Sequence, residues 1–269
     1  MKQYILSVLG TMTLFVSKAQ QNQGKVMYDR TVKVQFSFAG MGGGAEHQVP
    51  STRTDKYELL FGNGQSLWKQ AESETEDEGG TFHSENGAQI RMIVAGSNDV
   101  LFTNLETGKK VEKRELMDKS FIVDDTISKL KWKMTGETKT ILNHNCMKAT
   151  ATRTSKRTIM NADNGVVERK EIDDTSAIVA WFAPGIPVSA GPSEFQGQLP
   201  GLILEMDIKD GTQTFKAVSI SEKADLSEIK EPSGKKHYTA AEFLQEREKM
   251  MKEMEQNNGG GNRRVIRMN

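Results

Sequence analysis

The chain has 269 residues, with 36 basic and 36 acidic side chains, and its formal net charge is therefore zero. A balance this close to neutral argues against general nucleic-acid binding, which needs a basic face. Hydrophobic residues make up 36% of the chain, which at this length is enough for a core. Cys146 is the single cysteine, so no disulfide within the chain can stabilise the fold.

Residues 1–19 are predicted to be a secretory signal peptide. Lys2 precedes a mostly apolar run from Tyr4 to Val16, and Ser17 and Ala19 supply small residues at the −3 and −1 positions of a cleavage site. The apolar run is shorter than the roughly 20 residues that a transmembrane helix needs. We therefore expect cleavage after Ala19 and an exported mature chain that does not span a membrane.

Residues 20–238 are predicted to form an antiparallel β domain. Polar and apolar residues alternate through 24–38, and Asn63-Gly64 is typical of a two-residue hairpin turn. Further apolar segments follow at short intervals, separated by turn residues and without a helical period. The pattern predicts an all-β, mainly antiparallel fold, either a large curled sheet or an open barrel or sandwich. The acidic stretch 71–87 is interpreted as a solvated insertion.

Residues 239–256 are predicted to form an amphipathic helix. Thr239 and Glu242 have the spacing of a capping box. The approximate apolar stripe of the helix consists of Phe243, Leu244, Met250, Met251 and Met254. The glycine-rich, basic segment 257–269 is predicted to be a disordered tail.

Four of the six prolines lie between Pro184 and Pro200. Proline lacks a backbone donor, so this stretch cannot be an ordinary strand of a ladder. The pairs Pro184-Gly185 and Pro200-Gly201 fit type II turns, with glycine at the position that needs a positive φ. We interpret 183–204 as a compact apolar strap that connects two strands.

A series of short motifs spans about residues 141–210. The matching residues are Cys146, Lys148, Ala149, Ala180, Trp181, Phe182, Pro184, Ile186, Pro187, Gly191, Pro192 and the run from Leu199 to Ile203. This series resembles the signature of the GLPGLI family of exported Bacteroidota proteins, although Gln198 stands where the family has glycine. The resemblance implies a periplasmic or outer-membrane-associated location. It also implies that the gene lies near genes for TonB-dependent receptors. It implies no particular chemistry, because the family has no established activity.

The strap and its flanks are the predicted ligand- or partner-binding motif. Its residues are Trp181, Phe182, Pro184, Pro187, Pro192, Leu199, Pro200, Gly201 and Leu202. One version of this hypothesis has an apolar cavity under the strap. Its candidate lining is Val34, Phe36, Leu59, Phe61, Trp68, Trp132 and Trp181. In the alternative interpretation these side chains simply fill the core. The C-terminal helix is also a candidate for docking on a partner or on its own sheet.

A second hypothesis centres on His144, Cys146 and Met147, which offer an imidazole, a thiolate and a thioether. Soft ligands of this kind favour Cu(I), although adjacent residues of a strand point to opposite faces. A third hypothesis is a thiol-dependent hydrolase, with His144 activating Cys146; a buried structural cysteine is the alternative. Of these, the sequence favours a non-enzymatic, exported envelope protein without a cofactor, which binds an apolar ligand or an outer-membrane TonB-dependent receptor.

Overall fold

A computed structural model describes residues 21–38, 47–72, 81–83, 89–91, 99–116, 119–163 and 166–258. The predicted signal peptide at 1–19, most of the acidic stretch 71–87 and the tail from residue 259 lie outside the described residues.

Strands dominate the part of the chain that is described. They are β1 (Gly24–Phe38), β2 (His47–Gly62), β3 (Gln65–Gln70), β4 (Thr81–His83), β5 (Gln89–Arg91), β6 (Val100–Asn104), β7 (Lys109–Leu116), β8 (Lys119–Thr126), β9 (Lys133–Ile141), β10 (His144–Asp163), β11 (Val166–Ala183), β12 (Leu202–Ile208), β13 (Gln213–Ser221) and β14 (His237–Thr239). A single α-helix among the described residues, α1, follows at Ala240–Asn258.

Twelve of these strands form one open sheet in the order β14-β8-β7-β6-β3-β2-β1-β13-β12-β11-β10-β9, while β4 and β5 pair with each other. Every pairing in the large sheet is antiparallel except that of β14 with β8. The predicted all-β, mainly antiparallel fold with a C-terminal helix is therefore confirmed, and the sheet is open.

The hairpin turns follow the local sequence closely. Asn63 and Gly64 have φ values of 51° and 69°, as the predicted two-residue turn requires. The turn between β9 and β10 is formed by Leu142 and Asn143, with φ values of 47° and 65°.

The two proline-glycine turns predicted in the strap are wrong in type. A type II turn needs a positive φ at its third residue, and neither Gly185 nor Gly201 has one. Gly201 has a different role, because a Cβ atom there would lie 2.5 Å from the carbonyl oxygen of Ala183. The glycine thus permits a close approach of two backbones rather than an unusual dihedral angle.

The main core lies between one face of the sheet and the strap. Its largest fully buried members include Tyr28, Phe61, Phe182, Phe195, Phe215, Leu59, Ile186, Leu202 and Ile203. The buried Tyr28 hydroxyl donates a hydrogen bond to the carbonyl oxygen of Ile203 at 2.6 Å. This bond ties β1 to the start of β12, directly after the strap. The opposite face carries a smaller core in which Ile229 covers Leu60, Phe102 and Ile122.

Helix α1 begins at the predicted capping box. The backbone N–H of Thr239 donates to Glu242 at 2.7 Å, and the backbone N–H of Glu242 donates to Thr239 Oγ1 at 3.2 Å. Phe243 and Met250 pack against Phe121 and Val123 of β8. No described helix has the length and apolar character that crossing a bilayer requires.

The apolar stripe of the helix is narrower than predicted. Leu244 and Met251 are 45% and 50% exposed, whereas Phe243 and Met250 are buried. The helix contacts the sheet along a single line of residues seven apart, so the neighbouring apolar positions face away from the sheet. The side chain of Met254 lies outside the described part of the chain.

Candidate functional site

The strap, predicted at 183–204, occupies residues 184–201 between β11 and β12. It folds back over the main core and is held by hydrogen bonds of its backbone. Ile186 N–H donates to Ala183, Leu202 N–H to Ile186, and Ile203 N–H to Ala190, at 3.0–3.1 Å. These bonds anchor the strap to the ends of the two strands that it connects, so the segment has a defined course despite its lack of regular structure.

Two glutamines of the strap fasten it to distant segments. Gln196 is buried and accepts a hydrogen bond from the hydroxyl of Ser66 on β3. Gln198 accepts from Leu130 N–H at 3.0 Å and from the Trp132 indole at 3.2 Å, and it donates to the carbonyl of Ser128 at 3.0 Å. The position that departs from the family resemblance is therefore a structural anchor in this chain.

The predicted strap motif is divided between the core and the surface. Phe182, Pro192, Leu199, Gly201 and Leu202 are buried, whereas Pro184, Pro187 and Pro200 are exposed. The buried members shape the strap, and the three exposed prolines line none of the four cavities described for this structure.

Trp181 lies apart from the rest of the motif, in a ring of charged side chains. Lys139 and Lys148 place their ammonium groups 4.3 and 5.8 Å from the centre of its ring. The two lysines form ion pairs with Glu205 and Glu137, both at 2.9 Å. This arrangement fits a structural role, since cation–π contacts stabilise an indole that is only partly buried.

The residues suggested for an apolar cavity have other surroundings. Leu59, Phe61 and Trp68 are buried in the main core, and Trp132 is engaged with Gln198. The side chains of Val34 and Phe36 lie outside the described residues. One described cavity is lined mainly by charged and polar residues, and a second combines such residues with Leu101, Val123 and Phe243.

Cys146 is completely buried, and its Sγ donates a weak hydrogen bond to the backbone carbonyl of His144 at 3.5 Å. Burial raises the pKa of the thiol above its ordinary value, so the thiolate that nucleophilic attack or metal binding needs is disfavoured. His144 is only partly buried and lines a shallow surface groove beside Leu142 and Val218. Met147 follows Cys146 on β10 and is partly buried against the main core. Within the described ranges, no three or more His, Cys, Asp or Glu side chains are grouped to hold a metal ion.

We expect Cys146 in the folded protein to resist alkylation by iodoacetamide at pH 7.5, because it is both inaccessible and protonated. Intact mass spectrometry should show unmodified native protein and full labelling after denaturation. The variant Ser219→Cys, at an exposed position of β13, supplies an accessible thiol as a control. Rapid labelling of Cys146 in the native wild type would contradict this prediction and would support the hypothesis of a thiol-dependent hydrolase.

A charged cleft of about 280 Å³ lies between the sheet and the tip of the strap. One wall is built by β1 and β2, where Arg30, Arg53, Asp55 and Tyr57 point to the same face as the main core. Asp55 pairs with Arg30 across the two strands. Alternate residues of β2 share this face, so Arg53, Asp55 and Tyr57 lie in line with Leu59 and Phe61 of the main core.

The two arginines share one carboxylate. Arg53 Nε donates to Asp55 Oδ1 at 2.7 Å, and Arg30 Nη1 lies 3.9 Å from Asp55 Oδ2. The side chains of Arg53 and Asp55 are only 14% and 11% exposed. Arg53 Nη1 is fully buried, and no described residue accepts a hydrogen bond from it.

Two stacked aromatic side chains, Tyr57 and Trp68, line the cleft beside the arginines. Tyr57 stacks on Trp68 with ring centres 4.9 Å apart and an angle of 5° between the rings. The Arg30 guanidinium lies 5.9 Å from the centre of the Tyr57 ring. Burial raises the pKa of Tyr57, and the nearby arginines only partly offset this shift. The phenol is therefore neutral at physiological pH.

The far wall of the cleft is acidic, but its carboxylates have their own partners. Glu112 pairs with Arg114 at 2.8 Å, and Asp99 accepts the backbone N–H of Glu115 at 2.8 Å. Burial raises the pKa of Asp99, and the neighbouring Glu112 adds to the shift.

Glu194 projects from the tip of the strap over the cleft. The preceding residue, Ser193, has a φ of 52°, which is uncommon for a residue other than glycine. Glu194 accepts hydrogen bonds from Arg153 at 2.8 Å and from the Ser193 hydroxyl at 2.6 Å. Desolvation alone would raise the pKa of Glu194, but these hydrogen bonds hold it below its ordinary value. The tip thus carries a fixed carboxylate.

A second groove of about 400 Å³ adjoins the cleft and shares Leu101, Glu112, Ser193 and Glu194 with it. Its other side is helix α1, through Ala240, Phe243 and Leu244. Cleft and groove together run along one face of the sheet on both sides of the strap tip.

The sequence hypotheses included Trp68 but none of the charged residues of the cleft. A signal for them was present in the stretch 53–61, where the parity that places Leu59 and Phe61 in the core also places Arg53 and Asp55 on that face. Charged residues on the buried parity of a strand are uncommon and need partners, so they indicate a site or a buried ion pair.

Fold and site define a class: an antiparallel β-sheet protein whose proline-rich strap covers a charged cleft on one face of the sheet. Residues 132–205 match a family model that is described as a protein of unknown function (Porph_ging). The match covers β9 to β11, the strap and the start of β12, whereas Arg30 and Arg53 lie outside it.

A solved structure described as "Structure of PNGF-II in C2 space group" is similar over 82% of this chain, with 16% sequence identity and a TM-score of 0.45. The chain spans about a third of the length of that structure's chain, 32%. A search of curated proteins found no match.

Proposed function

We propose that this chain is an exported, non-enzymatic protein of the cell envelope that binds a small polar ligand in the charged cleft. The observation that carries the proposal is the cleft itself, in which three strands of the sheet, Asp99 and the strap tip place charged side chains around a cavity of about 280 Å³. Ligand sites are concave and combine apolar surface with a few convergent polar groups.

Export is supported by the character of residues 1–19, and an envelope role is supported by the resemblance of 141–210 to the GLPGLI family. The same resemblance supports an accessory role beside an outer-membrane TonB-dependent receptor, which would receive the ligand or contact the strap. An apolar ligand has less support, because Leu59 and Phe61 are buried in the main core and most residues that line the cleft are charged or polar. A role in copper handling or thiol hydrolysis has less support for the reasons given for Cys146.

Native mass spectrometry of the mature protein purified from the periplasm tests the proposal. We expect an additional mass that is lost on denaturation. Two variants on β13 locate the ligand: Gln213→Trp fills the edge of the cleft, while Lys216→Trp adds the same bulk at an exposed position that lines none of the described cavities. The additional mass should persist in Lys216→Trp and disappear in Gln213→Trp.

A ligand that persists in Gln213→Trp would lie elsewhere and would contradict the proposed site. An apoprotein mass for every sample would contradict ligand binding and would leave only the accessory role at an outer-membrane receptor. The size of the lost mass separates a metal ion from an organic molecule.

A further inference from the structure

The two arginines of the cleft point to the chemical class of its ligand. Resting on the proposed function, we infer that the ligand carries an oxyanionic group, a carboxylate, phosphate or sulfate, and that Arg30 and Arg53 hold this group. The inference concerns the wall formed by β1 and β2, which the family model does not cover.

The first argument is the local balance of charge. Two guanidinium groups face the cavity, and Asp55 is the carboxylate that forms ion pairs with both among the described residues. The other carboxylates around the cleft compensate less for the second positive charge. Glu112 of the far wall and Glu194 of the strap tip are engaged by Arg114 and Arg153, and Asp99 accepts the backbone N–H of Glu115 while burial raises its pKa, which favours the neutral acid. Glu112 also lies three strands away from β2 in the sheet, which corresponds to about 14 Å at the usual strand spacing.

The second argument is the unused hydrogen-bonding capacity. Arg53 Nη1 is buried without an acceptor among the described residues, and the 3.9 Å separation of Arg30 from Asp55 is too long for a hydrogen bond. A buried donor that stays unsatisfied costs about 1–3 kcal/mol, and more in a charged group. An oxyanion between the two guanidinium groups would accept from both and remove this cost.

The third argument is the shape of the arginine wall. Asp55 orients Arg53 through its Nε and leaves Nη1 without an acceptor among the described residues, and Arg30 lies over the ring of Tyr57. Planar guanidinium groups held in this way favour two parallel hydrogen bonds to carboxylate or phosphate oxygens. The cleft, at about 280 Å³, suits a small ligand rather than a polymer.

Isothermal titration calorimetry of the full mature protein tests the inference with three probes: acetate, inorganic phosphate and sulfate, each at constant ionic strength adjusted with chloride. We expect at least one probe to bind the wild type, and the preferred probe identifies which oxyanion the ligand carries. Arg53→Gln and Arg30→Gln should each weaken this binding about tenfold or more, as loss of a charge-assisted hydrogen bond implies. Arg247→Gln, at an exposed position of α1, should leave it unchanged.

Arg53→Lys keeps the charge and removes the planar fork, so it should bind with intermediate affinity, and it serves if Arg53→Gln does not fold. The inference is overturned if none of the probes binds the wild type, or if both glutamine variants bind as the wild type does. A cleft ligand that native mass spectrometry detects in the wild type and in Arg53→Gln alike would overturn this inference and leave the proposed function intact. Absence of any ligand from the wild type would instead contradict the proposed function.

Discussion

Replacement of Gly201 by alanine is expected to destabilise the folded protein by about 3 kcal/mol, at the upper end of the usual cost of overpacking a core. The new Cβ would lie 2.5 Å from the carbonyl oxygen and 2.8 Å from the carbonyl carbon of Ala183, and 3.1 Å from Phe182 Cδ2. Two of these obstacles are backbone atoms of β11, which cannot move without disturbing the pairing of Ala183 with Leu202. Thermal unfolding followed by circular dichroism should show a midpoint lower by roughly 6–12 °C.

Gly185→Ala is the matched control in the same strap. No described atom lies within 4 Å of a Cβ built at Gly185, and its φ is not positive. We expect this change to alter the free energy of unfolding by less than about 0.5 kcal/mol, or to raise it slightly through the entropy of the unfolded chain. Equal midpoints for the two variants would show that the approach of Gly201 to Ala183 does not constrain the strap.

Phe243→Ala is expected to detach helix α1 from the sheet and to cost about 3 kcal/mol, at the lower end for loss of a buried phenylalanine. Phe243 is buried, contacts Phe121 with ring centres 5.4 Å apart, and lies 5.1 Å below the guanidinium of Arg114. Hydrogen exchange of the helix amides should become much faster, since local stability follows the buried contacts of an element. Denaturant unfolding supplies the accompanying free energy.

The adjacent residue supplies the control for the helix. Leu244 is 45% exposed, so Leu244→Ala should stay within about 0.5 kcal/mol of the wild type. Its helix amides should keep their protection from exchange. Equal acceleration of exchange in Phe243→Ala and Leu244→Ala would mean that the helix contacts the sheet through more residues than Phe243 and Met250.

The charged cleft could not be predicted from sequence motifs, because its residues come from segments that are distant from one another in the chain. Its charged residues are Asp99 and residues of β1, β2, β7 and the strap, and Arg30 and Glu194 are far apart in the chain. Each of them is an ordinary surface residue type when it is considered alone. Their proximity depends on strand order, in which β7, β6, β3, β2 and β1 are consecutive neighbours, and on the course of the strap above them.

Local features of the fold were predictable because each depends on residues close in sequence. The alternation through β1, the Asn63-Gly64 turn and the pairing of Thr239 with Glu242 all involve contacts within a few positions, where stereochemistry leaves few alternatives. The proline spacing likewise indicated a strap, since proline cannot complete a ladder. The proline spacing did not indicate the turn type. Glycine is needed at position 201 because the backbone of Ala183 lies too close for a Cβ atom, and not because its φ is positive.

Tertiary structure alone decided which faces became buried and which charges met. Phe243 and Leu244 are equivalent in the sequence pattern, yet the line of contact with β8 buries one and exposes the other. Arg30 and Arg53 share Asp55 because β1 and β2 pair in one particular register, and the strap tip brings Glu194 to the same cleft. Such long-range pairings are set by the summed burial and hydrogen bonding of the whole sheet, which no local window of the sequence contains.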